Sequence, residues 1–370
     1  MKHDRFDFEE EFHARDRKQF RKERKHLQDT DRSKYKKSDQ DQKGKPKSVD
    51  SALPRGRVIS ITGEGIWVEV EGQRFLCSLK GLLKKEKLQV KNVAAVGDYV
   101  RFEQTSPNEG SILAIDPRFS FLARTDATGT KEQLIAVNID QVFLILSVVE
   151  PNLRPPLVDR YLIAAAKGSI HPIIVINKID LLAHHPDEES LYQEFLAAYE
   201  PLGFPIVSVS TKTGAGVEAV RSLMKGKTSA VAGQSGVGKS SLLNAAFQMQ
   251  LKIGDLAAKT AKGSHTTTAA ELLPLPEGGY CVDTPGIRSF GVWNLTLDEV
   301  ITHFRDIALL GQRCRFADCS HGAEPHCAVL AALKQGTLPL MRYESYTALR
   351  NEALGHADNR TQRLMDQRDG

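Results

Sequence analysis

The run Gly-Gln-Ser-Gly-Val-Gly-Lys-Ser at positions 233 to 240 has the composition and spacing of a polyphosphate-binding loop. Glycines at 233, 236 and 238 let the backbone curl until successive N–H groups point inward at phosphate oxygens. Lys239 then reaches the outer phosphates and the Ser240 hydroxyl can take Mg²⁺. The expected contacts are Gly233, Gln234, Ser235, Gly236, Val237, Gly238, Lys239, Ser240 and Ser241. The octapeptide alone also suits an ATPase or a kinase, but Thr228–Ala232 predicts a strand before it and Ser241–Asn244 opens a helix after it.

Base choice rests on Asn177, Lys178, Ile179 and Asp180 at the end of a second apolar run. A carboxylate at Asp180 can accept from guanine N1–H and the exocyclic amine, whereas adenine presents a bare acceptor there. That mismatch costs several kcal/mol, on the order of a thousandfold in affinity. Asn177 is expected to hold the loop and the base edge, and the Lys178 stem to cover the ring face. Ser210, Thr211 and Lys212 follow the next strand and are expected to close over the base. Asp283 ends the run Tyr280–Val282 and is placed to hold Mg²⁺ through water, with Thr266 or Thr267, Thr267 the favoured one, completing the shell beside Ser240 and the Gly286 N–H sensing the γ-phosphate.

These parts come in an unusual order. In small GTPases generally the phosphate loop comes first and Asn-Lys-x-Asp comes late; here the guanine motif precedes the loop, so the domain is circularly permuted. After Gly286, where many GTPases carry a water-orienting Gln, stands Ile287, which cannot position water. Hydrolysis is therefore expected to need another group. His265 is the nearest in sequence, as a catalytic residue beside Lys239 and Thr267, or as a histidine that only packs or caps its loop.

Cys314, Cys319, His321 and Cys327 form a second constellation. Clustered cysteines without a secretory signal argue for metal over disulfides, and three thiolates with one imidazole make a closed tetrahedral shell for one structural Zn²⁺. His326 competes with His321, but adjacent residues rarely both reach one ion, and His321 has the better spacing. Arg313, Arg315, Lys334, Arg342 and Arg350 nearby could face RNA or water.

The elements that must position these groups follow from periodicity. Five short β-rich runs between Arg57 and Ile115 predict a small closed barrel, with an OB-fold as one candidate. From about residue 120 apolar strands alternate with helical stretches, predicting a parallel sheet covered on both faces. Helical stretches at 328–335 and 341–354 follow the cysteines. The expected divisions are a charged tail at 1–52, the barrel at 53–118, the permuted nucleotide domain at 119–291 and a mainly helical zinc-binding domain at 292–370. The tail carries 16 basic and 12 acidic residues, the whole of the chain's net +4. With so few aliphatic residues it is expected to be disordered when free. No apolar run approaches the roughly 20 residues that span a bilayer, and the start of the chain is not a secretory signal; the expected location is cytoplasmic.

Permuted guanine motifs, a preceding barrel and a following Cys-x4-Cys-x-His-x5-Cys cluster together resemble the RsgA (YjeQ/EngC) family over residues 53 to 355. Gly-Gln-Ser-Gly-Val-Gly-Lys-Ser-Ser at 233–241, His-Thr-Thr at 265–267, Glu324-Pro325 and the apolar Ile287 are similar to its patterns. Ser264 and His326 depart from it, the latter standing where Gly is usual. The resemblance implies an OB-fold barrel that binds RNA, and a monomeric GTPase that turns GTP into GDP, binds the 30S ribosomal subunit and its rRNA late in maturation, is stimulated by it and then leaves. Permutation then places the Asp283 turn next to the zinc module, and the barrel at the opposite end to hold RNA. The alternatives are a nucleotide-gated RNA-binding scaffold with little hydrolysis and an ATP-using phosphotransferase.

Overall fold

The computed structural model describes residues 53–80, 93–125, 132–248, 270–283 and 295–366. The charged tail therefore lies outside the described residues. Strands β1 (Arg55–Ile61), β2 (Ile66–Val70), β3 (Gln73–Leu79), β4 (Tyr99–Ser106) and β5 (Glu109–Ile115) pair in the order β1-β2-β3-β5-β4. β4 returns to β1 with Arg55 opposite Arg101 and Arg57 opposite Tyr99, closing a five-stranded OB-type barrel. Alternate residues point inward, so Val58, Val68, Phe75, Cys77, Val100, Phe102 and Ile112 make one core. Gly110 is required where β5 crosses it, because a Cβ there would lie 2.7 Å from the Phe102 ring.

After a hairpin of β6 (Phe121–Thr125) and β7 (Glu132–Val137), the chain enters the sheet that carries the nucleotide motifs. β8 (Gln141–Ser147), β9 (His171–Asn177), β10 (Ile206–Ser208), β11 (Thr228–Ala232) and β13 (Tyr280–Asp283) are parallel, in the order β10-β9-β8-β11-β13. β8 is buried along its whole length, and its side chains divide between two cores. Val142, Leu144 and Leu146 face α1 (Pro155–Lys167) and α2 (Pro186–Tyr199). Phe143 and Ile145 face α3 (Val217–Met224) and α4 (Lys239–Phe247). A strand covered on both faces has no polar side, which is why its sequence is continuously apolar. The chain runs outward from β8 to β10, then returns to β11 on the other flank of β8. Carboxyl ends at such a reversal leave the crevice in which open α/β sheets bind ligands.

β12 (Glu271–Pro274) runs antiparallel to β13 and pairs with β1 of the barrel, so barrel and nucleotide domain share one sheet. The barrel is thus attached beside the Asp283 strand and not, as chain order suggests, at the far end of the domain.

The C-terminal helices are α5 (Leu297–His303), α6 (Arg305–Gly311), α7 (Ala328–Lys334) and α8 (Leu340–Asp366). Thr296 and Glu299 form a reciprocal capping box that starts α5. Val300, Phe304, Ile307, Val329, Tyr346 and Leu349 share a core that also receives Ile163 of α1. Under it lies Asp159 of α1, fully buried, accepting hydrogen bonds from Tyr199 (2.6 Å), Arg342 and Ser345, with His303 Nε2 at 2.8 Å. Arg342 is 1% exposed, so it faces Asp159 and Asp306 and not RNA or water. No helix among the described residues is long and apolar enough to cross a membrane.

Candidate nucleotide site and metal cluster

The phosphate loop leaves β11 with Gly233 at φ 146°, Gly236 at φ 85° and Gly238 at φ 91°, all in the region that favours glycine. Two of them are also tightly enclosed. A Cβ on Gly233 would meet the Ile145 carbonyl of β8 at 2.1 Å, and one on Gly238 would meet Asn177 Nδ2 at 2.4 Å. Gly238 caps α4, so the loop's N–H groups gather at a helix N-terminus, a natural anion site. Lys239 Nζ donates to the carbonyls of Gly233 (2.9 Å) and Gln234 (2.6 Å), which hold the ammonium across the loop. Ser240 is buried in the first turn, Gln234 and Ser241 are half-buried, Ser235 is exposed and Val237 anchors the loop in the core below.

The guanine motif is joined to this loop. Asn177 ends β9, is 2% exposed, and donates through Nδ2 to the Val237 carbonyl at 2.8 Å while its Oδ1 accepts the Lys178 N–H. Both ends of the amide are thus engaged in holding loops. Lys178 takes a left-handed conformation at φ 66°, and its Nζ reaches the Glu150 carbonyl beyond β8 at 2.6 Å, stretching the stem across the crevice. Ile179 N–H bonds to the Val209 carbonyl, fastening the motif to the loop after β10. Asp180 accepts from the fully buried Ser210 hydroxyl at 2.6 Å, which also accepts the Thr213 N–H at 3.2 Å. Thr211 and Lys212 sit in that turn, Lys212 exposed. One carboxylate oxygen is fixed by Ser210, which aims the group as an acceptor for paired N–H donors.

Asp283 ends β13, next to the loop strand β11. His265, Thr266, Thr267, Gly286 and Ile287 lie outside the described residues.

Cys314, Cys319, His321 and Cys327 come together, their ligand atoms all within 4.8 Å of one another. The Cys314 and Cys327 sulfurs are 3.8 Å apart, and His321 Nδ1 is 3.6 Å from each. A tetrahedral zinc with bonds of about 2.3 Å to sulfur and about 2.05 Å to nitrogen has edges of about 3.8 and about 3.6 Å, so these three donors have the spacing of one such ion's ligands, with Cys319 within 4.8 Å of them. Burial lowers the His321 pKa, which favours the neutral ring a metal requires. Desolvation works to raise the Cys314 pKa, but hydrogen bonds from the N–H groups of Ala328 and Val329 and from the Cys319 and Cys327 thiols together outweigh it and lower it, favouring thiolate. His326 is exposed and stands outside the cluster. Its φ of 60° explains why glycine suits that position.

Two side chains brace the cluster, Glu324 of the Glu324-Pro325 pair and Tyr343, which the sequence did not point to. Glu324 accepts from the N–H groups of Ser320 (2.7 Å), Gly322 (2.9 Å) and Ala323 (3.1 Å), and hydrogen bonds, those from Ser320 first, bring its carboxyl down to about 2. The Tyr343 hydroxyl holds the His321 carbonyl at 2.8 Å.

Residues 115–293 match the model of the RsgA GTPase family. The small ribosomal subunit biogenesis GTPase RsgA of Shewanella oneidensis is 39% identical over 317 residues, 83% of this chain and 87% of that protein. Among solved structures, YjeQ from Thermotoga maritima is 34% identical with a TM-score of 0.64, covering 81% of this chain and 98% of its own. YloQ, described as a circularly permuted GTPase, is 29% identical with a TM-score of 0.62, covering 82% and 96%. Likeness of this extent over most of the chain establishes that it belongs to the RsgA family of GTPases.

Proposed function

We propose that this protein hydrolyses GTP to GDP and phosphate while bound to the 30S ribosomal subunit, assists a late step of its maturation, and dissociates afterwards. The observation that carries the reading is the Asn177–Val237 bond, which joins a guanine-selective loop to a phosphate loop within a chain similar over most of its length to proteins named for small-subunit biogenesis. The chain works in three parts, a barrel at 53–118 that meets rRNA, the GTPase domain at 119–291 and a zinc-bearing domain at 292–370, with a charged tail before them. It acts as a monomer in the cytoplasm.

In this reading Asp180 selects guanine, with Lys178 and Ile179 bracing it and Ser210, Thr211 and Lys212 closing over the base. Gly233 to Ser241 cradle the phosphates, and Lys239 neutralises the charge that grows on the leaving phosphate. Mg²⁺, when bound, would supply positive charge to the phosphates. Ser240, Thr267 and Asp283, the last through water, are the residues to hold it, while the Gly286 N–H reports the γ-phosphate. Because Ile287 cannot orient the attacking water, His265 or a group of the subunit performs that step. Cys314, Cys319, His321 and Cys327 hold one structural zinc, whose closed shell leaves no position for substrate.

Ile287 also favours a second reading, a nucleotide-gated scaffold with little hydrolysis. Nucleotide competition and co-sedimentation test the main one. A non-hydrolysable GTP analogue, but neither GDP nor an ATP analogue, should hold the protein on 30S subunits. Equal retention with an ATP analogue would overturn the guanine assignment, and no retention on 30S with any nucleotide would overturn the partner.

A further inference from the structure

The β12–β13 hairpin connects the two segments on which the magnesium chemistry depends. The chain carrying His265 and Thr267 enters β12, and the chain carrying Gly286 leaves β13 after Asp283. Asp283 stands at the hairpin's open end. At that end Glu271 is opposite Asp283 on one side and opposite Ser60 of the barrel on the other, so barrel strand, hairpin and Asp283 form one row across the sheet.

The other end of the hairpin is clasped as well. The Tyr280 hydroxyl donates to Glu69 Oε1 of β2 at 2.6 Å. The Arg57 guanidinium of β1 lies 4.9 Å from the Tyr280 ring centroid and 5.1 Å from that of Tyr99, and it donates to the Asn138 carbonyl at 3.0 Å. Partial burial, with the Glu69 carboxylate beside it, pushes the Tyr280 phenol up to about 12, so it remains a donor at neutral pH. Glu69 also faces Arg74 Nε at 3.8 Å, and the Arg74 side chain is 49% exposed on β3, so the clasp reaches the barrel's solvent face.

We infer that Tyr280 and Glu69 are positioning residues for the GTPase reaction. By gripping the hairpin from the barrel they set the placement of Asp283, and so the affinity for Mg²⁺ with nucleotide. The barrel is in this sense a built-in support for the catalytic magnesium site. The inference rests on the proposed role of Asp283 at the metal.

The test uses full-length protein and a fluorescent, non-hydrolysable GTP analogue, measuring its dissociation rate across a Mg²⁺ titration, with GTP turnover measured alongside. Tyr280→Phe keeps the ring and removes the hydroxyl, Glu69→Gln keeps the shape and removes the charge, and Asp283→Asn is the reference. Each clasp variant should raise the Mg²⁺ midpoint by about threefold to tenfold, the net worth of one typical hydrogen bond. The double variant should go no further, and the KM for GTP at saturating Mg²⁺ should not move. A wild-type midpoint in both single variants, with Asp283→Asn strongly shifted, would overturn the clasp alone. An unshifted Asp283→Asn would remove the Asp283 assignment and the inference together.

Discussion

Replacing Asp159 with Asn should loosen the joint between the GTPase domain and the C-terminal helices around the cysteine cluster. The carboxylate is fully buried and is shared by groups from α2, α5 and α8, and its main ionic partner Arg342 is itself 1% exposed. Breaking a buried pair by neutralising one member costs about 3–5 kcal/mol. Asn retains one acceptor oxygen, and Asp306 keeps its two contacts to Arg342 at 3.2 Å, so the lower end applies, about 3 kcal/mol. At about 2–4 °C per kcal/mol for a unit of this size, the melting midpoint should fall by roughly 6–12 °C at neutral pH.

The pH dependence fixes the cause. Desolvation alone would raise the Asp159 pKa, but His303, Arg342 and Ser345 outweigh it and hold the group below its usual value. The stabilisation is therefore complete above the unfolded-chain pKa of about 3.9 and fades as pH falls from there through the lower folded value. Calorimetry should show wild type and Asp159→Asn separated at pH 7 and converging in strong acid. A variant that melts within about 2 °C of wild type at pH 7 would refute the assignment of Asp159 as the main polar tie between these helices.

Gly238→Ala should lower GTP affinity by more than about tenfold, because left-handed backbone costs a non-glycine residue about 1–2 kcal/mol and the new Cβ strikes Asn177 Nδ2; titration with labelled nucleotide checks it. Asp180→Asn should cost on the order of a thousandfold in GTP affinity by setting an amide against guanine's donors, with Tm unchanged; calorimetric titration reads this directly. Cys327→Ser should take zinc from about one ion per chain to near none, measured by metal release to a colorimetric chelator. The same variant should expose the α7–α8 region to protease and leave GTP affinity intact.

What could be read in the sequence depended on how far apart the cooperating residues stand. The phosphate loop, Asn177–Asp180 and the cysteine–histidine cluster are legible because each is built from neighbours in the chain, and the barrel strands show the alternation that a half-buried sheet imposes. Asp159 and Arg342, 183 positions apart, show no local pattern, and an arginine near a metal cluster reads naturally as a surface charge. β12 is four residues long and pairs with a strand more than 200 positions away, so its joining of barrel to hairpin left no periodic trace. The left-handed His326 was visible as a departure from the family's glycine, though its geometry needed the fold.

The most direct test of the account is multiple-turnover GTP hydrolysis by the full chain alone, with purified 30S subunits and with 50S subunits. The account predicts slow turnover alone, strong stimulation by 30S and none by 50S, with stimulation lost in His265→Ala if that histidine acts on water. GTP bound tightly but hydrolysed no faster with 30S than without it would contradict the account and leave the gated scaffold standing.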